Sequence, residues 1–184
     1  LDVLSMAETS TKVFILEVMG RHAGWIAAAS GLIASKRNDP PHIILFPEIP
    51  FDKKDFLKRV DASVKKNGYC VIVASEGARY KNGRFLADAG TKDSFGHKQL
   101  GGVAPILALM IKEALGYKYH YAIADYLQRS TRHLASETDL RQAYAVGEAA
   151  VKMAIKGQKS KMITIDRLSD KPYKWKVGST ALSK

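Results

Sequence analysis

Polar and charged side chains follow three of the predicted strands, at the point where each strand ends. Gly20 and Arg21 come after one apolar run, Glu76 follows another, and Tyr126 and Arg129 follow a third. In an open sheet of parallel strands, ligands bind beyond the carboxyl ends of the strands, so these side chains are expected to share one edge. Guanidinium groups bind phosphate and carboxylates accept hydrogen bonds from hydroxyls. The set therefore fits a phosphorylated polyol.

Each of these side chains also has a simpler interpretation. Arg21 could form a surface ion pair, Glu76 could be a solvated loop carboxylate, and Tyr126 could serve packing alone. Placement on a common edge is what favours a binding site over these alternatives. Gly20 permits close approach of the backbone, and the helix predicted to open next would direct free N–H groups and a positive dipole end towards an anion.

Other kinds of site find little support in the sequence. The histidines lack metal-ligand spacing, and the sequence contains no Walker A run, no GxGxxG after a strand and no GxSxG nucleophile elbow. Trp25 and Trp175 are interpreted as core or packing residues. Small-molecule binding through the sheet edge remains the best-supported chemistry.

The 184 residues carry a net charge of +11, which calls for an anionic partner or an acidic segment elsewhere. Nucleic acid is one candidate partner and an anionic small molecule is another. Six basic residues fall on the predicted solvated face of one helix, without interleaved aromatic residues: Lys53, Lys54, Lys58, Arg59, Lys65 and Lys66. This arrangement disfavours nucleic acid, and the absence of a long apolar run disfavours a membrane span.

The single cysteine, Cys70, excludes an internal disulfide framework and is predicted to be a buried apolar residue. A reducing, cytoplasmic location is expected from this cysteine usage. The chain does not begin with Met, which suggests that it is a piece of a longer protein.

Short β-rich runs alternate with helical patterns, which predicts an α/β fold with a mainly parallel sheet and helices on both faces. One domain is expected over residues 1–184. Asp52 is a predicted helix N-cap, and the segment 77–100 is predicted to be irregular with one short strand. Strands are predicted at residues 12–18, 42–46, 69–74, 119–124, 161–165 and 173–177, and helices at 22–35, 52–67, 103–115 and 138–156.

Three segments, in this order, resemble the 6-phosphofructokinase family. Glu17–Trp25 (EVMGRHAGW) is similar to its fructose 6-phosphate segment, Ser75–Gly77 (SEG) to its sugar-binding Glu segment, and Asp125–Arg129 (DYLQR) to its second phosphate-binding segment. The segments GTKDSFGHKQLGGVAP (90–105), QRSTRH and AYAVGEAAV resemble the diphosphate-dependent branch. The resemblance implies the C-terminal, sugar-phosphate-binding part of a two-domain, Rossmann-like phosphofructokinase fold.

The resemblance also implies roles for individual residues. Met19, Gly20 and Arg21 would contact fructose 6-phosphate, and Glu76 would accept hydrogen bonds from the sugar. The region around the 6-phosphate would be bound by Tyr126 and Arg129.

A contribution from a neighbouring subunit is implied as well. Lys12 matches a family Arg that reaches into a neighbouring subunit's site, so a homo-oligomer is expected. A second such Arg belongs near His120, where Lys118 is the nearest cation.

The implied activity is phosphorylation of fructose 6-phosphate at O1, with diphosphate favoured over ATP as the donor. No catalytic residue is expected in this chain. The family's GGD-type and TID-type segments, the second with the general-base Asp, are expected upstream of Leu1, together with most of the Mg²⁺ site. The alternatives are an ATP-dependent enzyme, a non-catalytic sugar-phosphate-binding module and, on charge alone, a nucleic-acid-binding domain.

Overall fold

The computed structural model describes residues 5, 10–36, 38–92, 98–100 and 102–183, and the side chains of these except 89–92 and 98–100. The chain divides into two compact units, Leu1–Gln128 and Arg129–Lys184. One domain over residues 1–184 stays a prediction. Within the segment 90–105, residues 93–97 and 101 lie outside the described part.

Strands and helices alternate over most of the described chain. The strands are β1 (Val13–Val18), β2 (Ile43–Leu45), β3 (Cys70–Ser75), β4 (Asp88–Lys92), β5 (Lys98–Leu100), β6 (Tyr119–Ile123), β7 (Lys161–Asp170) and β8 (Tyr173–Ala181). The helices are α1 (Trp25–Ala29), α2 (Lys53–Asn67), α3 (Val103–Leu115), α4 (Leu127–Ser130) and α5 (Glu137–Ile155).

A four-stranded sheet forms the centre of the first unit, with the strand order β2-β3-β1-β6. All three neighbouring pairs are parallel. The sheet carries side chains of α2 and α3 on one face, where Ile15, Ile72, Phe56 and Leu107 share the larger core. On the other face, Ala27 of α1 packs with residues of β1 and β3 in a smaller cluster. The predicted α/β class, mainly parallel with helices on both faces, is confirmed.

The start of α2 follows the local signals in the sequence. The Asp52 carboxylate accepts a hydrogen bond of 2.9 Å from the Asp55 N–H, which satisfies one of the unpaired donors of the first turn. The Phe51 and Phe56 rings lie 5.2 Å apart, as a hydrophobic staple requires. Gly68 ends the helix with φ 82°.

The helix predicted over residues 22–35 is shorter than the sequence pattern indicates. Only Trp25–Ala29 is α-helical, and Ser30–Ile33 continues as a 3₁₀ turn. The Ser30 hydroxyl donates to the Ala27 carbonyl at 2.6 Å, and Ala34 already has an extended backbone with ψ 117°. The prediction that Trp25 is a core or packing residue is wrong in this structure, because Trp25 is 82% exposed.

Two further predictions need correction. Among its described residues, the segment 77–100 contains two short strands rather than one, β4 and β5, which pair antiparallel. In the second unit, β7 and β8 extend well beyond the predicted ends and form their own antiparallel pair. Helix α5 begins at the Ser136 cap, whose hydroxyl accepts from the Asp139 N–H at 3.0 Å.

Candidate sugar-phosphate site

The carboxyl ends of β3, β1 and β6 meet at one edge of the sheet. Their register pairs Val18 with Ser75 and Glu17 with Ile123, so the residues that follow each strand emerge side by side. They surround a cavity of about 310 Å³, close to the lower end of the range for small-molecule pockets, about 300 Å³. The lining residues are Glu17, Val18, Met19, Glu76, Gly102, Ile123 and Asp125.

Backbone and side-chain hydrogen bonds join the turns after β1 and β3. The Ser75 hydroxyl donates to the Gly20 carbonyl at 2.5 Å, and the Gly20 N–H donates to Glu76 Oε1 at 3.2 Å. The Glu76 N–H in turn donates to the Val18 carbonyl at 2.9 Å. These bonds hold the Glu76 carboxylate beside the Met19–Gly20 backbone, so two of the segments singled out in the sequence are brought together.

Gly77 is required by the close approach of two backbones. A Cβ atom at this position would lie only 2.1 Å from the Arg21 carbonyl oxygen, far inside any permitted contact. Gly20 is constrained as well, because its φ of 136° lies in a region that side chains disfavour. The sequence indicated the role of Gly20, but nothing in its pattern showed that Gly77 faces Arg21.

Arg79 fixes the turn that contains Arg21. Its Nη2 atom donates to the Arg21 carbonyl at 3.3 Å and lies 3.4 Å from His22 Nδ1. The guanidinium also stacks over the Phe85 ring at 4.9 Å from its centre. Sequence reasoning missed Arg79, which follows the SEG segment by two residues and positions the Arg21 backbone from the side.

Glu17 is a second residue that sequence reasoning missed. It is only 6% exposed, and its Oε2 accepts the Ala104 N–H of α3 at 2.8 Å. Its pKa is raised above the usual 4.5, chiefly because burial removes the charge from water. Hydrogen bonds from Ala104 and Val103 oppose this rise in pKa, whereas the nearby carboxylates of Glu76 and Asp125 add to it. A charged residue inside an apolar strand was the one available signal.

The raised pKa of Glu17 predicts how stability depends on pH. The native state binds the Glu17 proton more tightly than the unfolded chain does, so the free energy of unfolding falls as pH rises from about 4.5 through the raised pKa. Glu17→Gln is expected to remove this contribution. Urea unfolding of the chain and of Glu17→Gln at a series of pH values measures the difference. The same slope in both proteins would contradict the assignment.

The remaining predicted residues are placed differently. Tyr126 follows the cavity-lining Asp125 and is 67% exposed. Two residues after Tyr126, Gln128 accepts the Met19 N–H through Oε1 at 3.4 Å. Arg129 is the first residue of the second unit, and its proximity to Arg21 and Glu76 stays a prediction.

Lys12 lies at the opposite end of β1 from Arg21. Its N–H donates to the Lys118 carbonyl at 3.0 Å, and its carbonyl accepts the Cys70 N–H at 2.8 Å. Lys118, the cation nearest to His120, is therefore its neighbour at the amino edge of the sheet. This placement keeps Lys12 away from the cavity in its own chain.

A TID-type segment was expected only upstream of Leu1, but the chain itself contains one TID triplet, Thr164-Ile165-Asp166. It lies within β7, where the Thr164 hydroxyl donates to Asp166 Oδ1 at 2.8 Å. A Cβ at Gly178 would lie 2.3 Å from the other Asp166 oxygen. These tight contacts within the β7–β8 pair indicate a structural role for the triplet.

Among the described residues, no three His, Cys, Asp or Glu side chains are arranged to hold a metal ion. The same part of the chain lacks a helix with the length and apolarity of a membrane span.

Comparison with known proteins identifies the family. The chain is 64% identical to the pyrophosphate–fructose 6-phosphate 1-phosphotransferase of Halomonas elongata, covering 100% of this chain and 44% of that protein. It is 58% identical to the protein of that name from Methylococcus capsulatus, covering 99% and 43%. A crystal structure of a pyrophosphate-dependent phosphofructokinase from Marinobacter aquaeolei matches with TM-score 0.81 and 58% identity, over 100% of this chain and 42% of that one.

The chain thus spans less than half of the length of these relatives. The family model described as phosphofructokinase matches residues 2–154. With this match over most of its length, the chain belongs to the phosphofructokinase family.

Proposed function

We propose that this chain supplies the fructose 6-phosphate site of a diphosphate-dependent 6-phosphofructokinase. Such an enzyme transfers a phosphoryl group from diphosphate to O1 of fructose 6-phosphate and forms fructose 1,6-bisphosphate. The observation that carries the proposal is the cavity at the carboxyl ends of β3, β1 and β6, where the Met19–Arg21 turn meets Glu76. The names of the relatives from Halomonas elongata and Methylococcus capsulatus support diphosphate as the donor.

Different residues of the sheet edge would bind the sugar hydroxyls and the phosphate of the substrate. Glu76 uses Oε1 for the Gly20 N–H, and a carboxylate retains further lone pairs for sugar hydroxyls. Arg21 and Arg129 would bind the 6-phosphate through their planar forks, with Tyr126 beside them. The acidic lining of Glu17, Glu76 and Asp125 favours the hydroxyl end of the sugar in the cavity and the phosphate end outside it.

The donor, the general base and Mg²⁺ are proposed to lie in the part of such an enzyme that this chain does not span. This chain would orient the acceptor sugar. A cytoplasmic location also belongs to the proposal.

Turnover by the full-length protein tests the proposal. With fructose 6-phosphate and Mg²⁺, diphosphate is expected to support formation of fructose 1,6-bisphosphate, and ATP is expected to support little. The 184-residue chain alone is expected to be inactive, because loss of a general base removes about 10² to 10⁴ in rate. Turnover with ATP but not with diphosphate would identify ATP as the donor. A full-length protein that is inactive with both donors would favour a non-catalytic binding module.

Lys12 is expected to serve the site of a neighbouring subunit in a homo-oligomer. The six-residue strand β1 separates Lys12 from Arg21 by about 20 Å, which one sugar phosphate cannot span. Subunits carrying Lys12→Ala and subunits carrying Arg21→Ala are each expected to be weak, and their mixed oligomers are expected to recover activity. Mixtures that show no recovery would assign Lys12 a local, solvated role.

A further inference from the structure

Glu17 lies in β1 and bonds both to the start of α3 and to the residue that follows β6. Its carboxylate accepts the Ala104 N–H of α3 at 2.8 Å, and its own carbonyl accepts the Ala124 N–H at 3.1 Å, directly before Asp125. The next residue, Val18, accepts the Glu76 N–H at 2.9 Å. A displacement of Glu17 would therefore be transmitted to each strand end that lines the cavity.

Helix α3 depends on this distant carboxylate for its first turn. Gly102 occupies the N-cap position but offers no side-chain hydrogen bond, whereas a helix start leaves its first N–H groups unpaired. The Glu17 carboxylate pairs one of these groups, the Ala104 N–H, although the two residues are 87 positions apart in the sequence. Its negative charge also offsets the positive end of the helix dipole.

The capped turn forms part of the cavity wall. Gly102 lines the cavity together with Glu17 and Met19, and its φ of 93° sets the path by which the chain enters α3. A Cβ at Gly102 would contact Ile123, another lining residue, at 3.5 Å. The position of this wall is thus set by where Glu17 holds α3.

We propose that Glu17 is a positioning residue for fructose 6-phosphate, because it holds the start of α3 against the end of β1 and so fixes the cavity beside Met19. This inference rests on the proposed function of the same edge. The carboxylate acts through the backbone of Ala104 and through the strand ends, and takes no part in the transfer itself.

The test compares Glu17→Gln and Glu17→Ala with Asp52→Ala in the full-length protein. Asp52 caps α2 through the Asp55 N–H and does not line this cavity. The Asp52→Ala variant therefore measures how far the loss of a helix cap by itself lowers stability. Glutamine keeps one acceptor and alanine keeps none. The KM for fructose 6-phosphate is expected to rise about tenfold in Glu17→Gln and further in Glu17→Ala. The kcat is expected to stay within about threefold of wild type.

Asp52→Ala is expected to lower the melting temperature without changing the KM. A KM unchanged in both Glu17 variants, with only a lower melting temperature, would overturn the inference. If neither variant folds, hydrogen exchange of the 102–107 peptide in the wild-type protein decides: fructose 6-phosphate should increase its protection, and no change would overturn the role of Glu17. A wild type that neither binds nor phosphorylates fructose 6-phosphate would contradict the proposed function instead.

Discussion

Gly77→Ala is expected to lower the kcat/KM of the full-length protein for fructose 6-phosphate by about a hundredfold, mainly through a higher KM, since a misplacement of about 1 Å can cost that much in rate. The alanine Cβ would lie 2.1 Å from the Arg21 carbonyl oxygen, with the Gly20 carbonyl oxygen at 2.6 Å. Both obstacles are backbone atoms, so the turn itself has to move. The turn that moves carries Gly20 and Arg21, and it accepts the Ser75 hydroxyl.

The same substitution should also lower stability, because overpacking costs about 1–3 kcal/mol. Gly147→Ala is the matched control. It lies within α5, and among the described residues outside its own helical turn nothing comes within 4 Å of the Cβ that it would add, so it should leave KM unchanged and slightly stabilise the helix. Steady-state kinetics and urea unfolding of the two variants measure both effects. A normal KM in Gly77→Ala would show that the Arg21 turn does not shape the substrate site.

Arg21→Ala is expected to weaken fructose 6-phosphate handling by about ten- to a hundredfold, since a lost charged hydrogen-bond partner costs about 1.5–3 kcal/mol. The loss should appear mainly in KM, because the guanidinium is proposed to bind the phosphate that does not react. Arg141→Ala provides a matched loss of one arginine. Arg141 pairs with Glu137 on the surface of α5, where such pairs contribute little. Equal KM values for the two variants would refute the role of Arg21.

Arg129→Ala is expected to have an effect similar to that of Arg21→Ala. If both forks bind one phosphate, the double variant should lose less than the sum of the two single losses, because neither partner then acts independently. A double-mutant cycle on the KM for fructose 6-phosphate measures this coupling. Fully additive losses would place Arg129 at a different site.

Local signals in the sequence were sufficient for several elements. Asp52 predicted the start of α2, and the short apolar runs at residues 12–18 and 69–74 predicted the strands β1 and β3. The helix predicted over residues 22–35 is shorter in the structure. The Ser30 hydroxyl bonds back to the Ala27 carbonyl, and the exposed Trp25 contributes little packing that would support a longer helix.

The candidate site was predicted from the rule that parallel strands bring their carboxyl ends to one edge. That rule placed Gly20 and Glu76 on one edge, and the Gly20 N–H does donate to Glu76 Oε1 at 3.2 Å. Their role in binding a sugar phosphate stays a prediction. The residues that were missed depend on contacts distant in sequence. Glu17 reaches Ala104, and Arg79 reaches Arg21; neither contact leaves a periodic trace along the chain.

A crystal structure of the full-length protein with fructose 6-phosphate would show directly whether this edge of the sheet binds the sugar phosphate. We expect the sugar in the cavity at the carboxyl ends of β3, β1 and β6, with a hydroxyl about 3 Å from the Glu76 carboxylate and the phosphate on the Arg21 guanidinium. A sugar phosphate bound away from this edge, with Glu76 and Arg21 both in solvent, would contradict it.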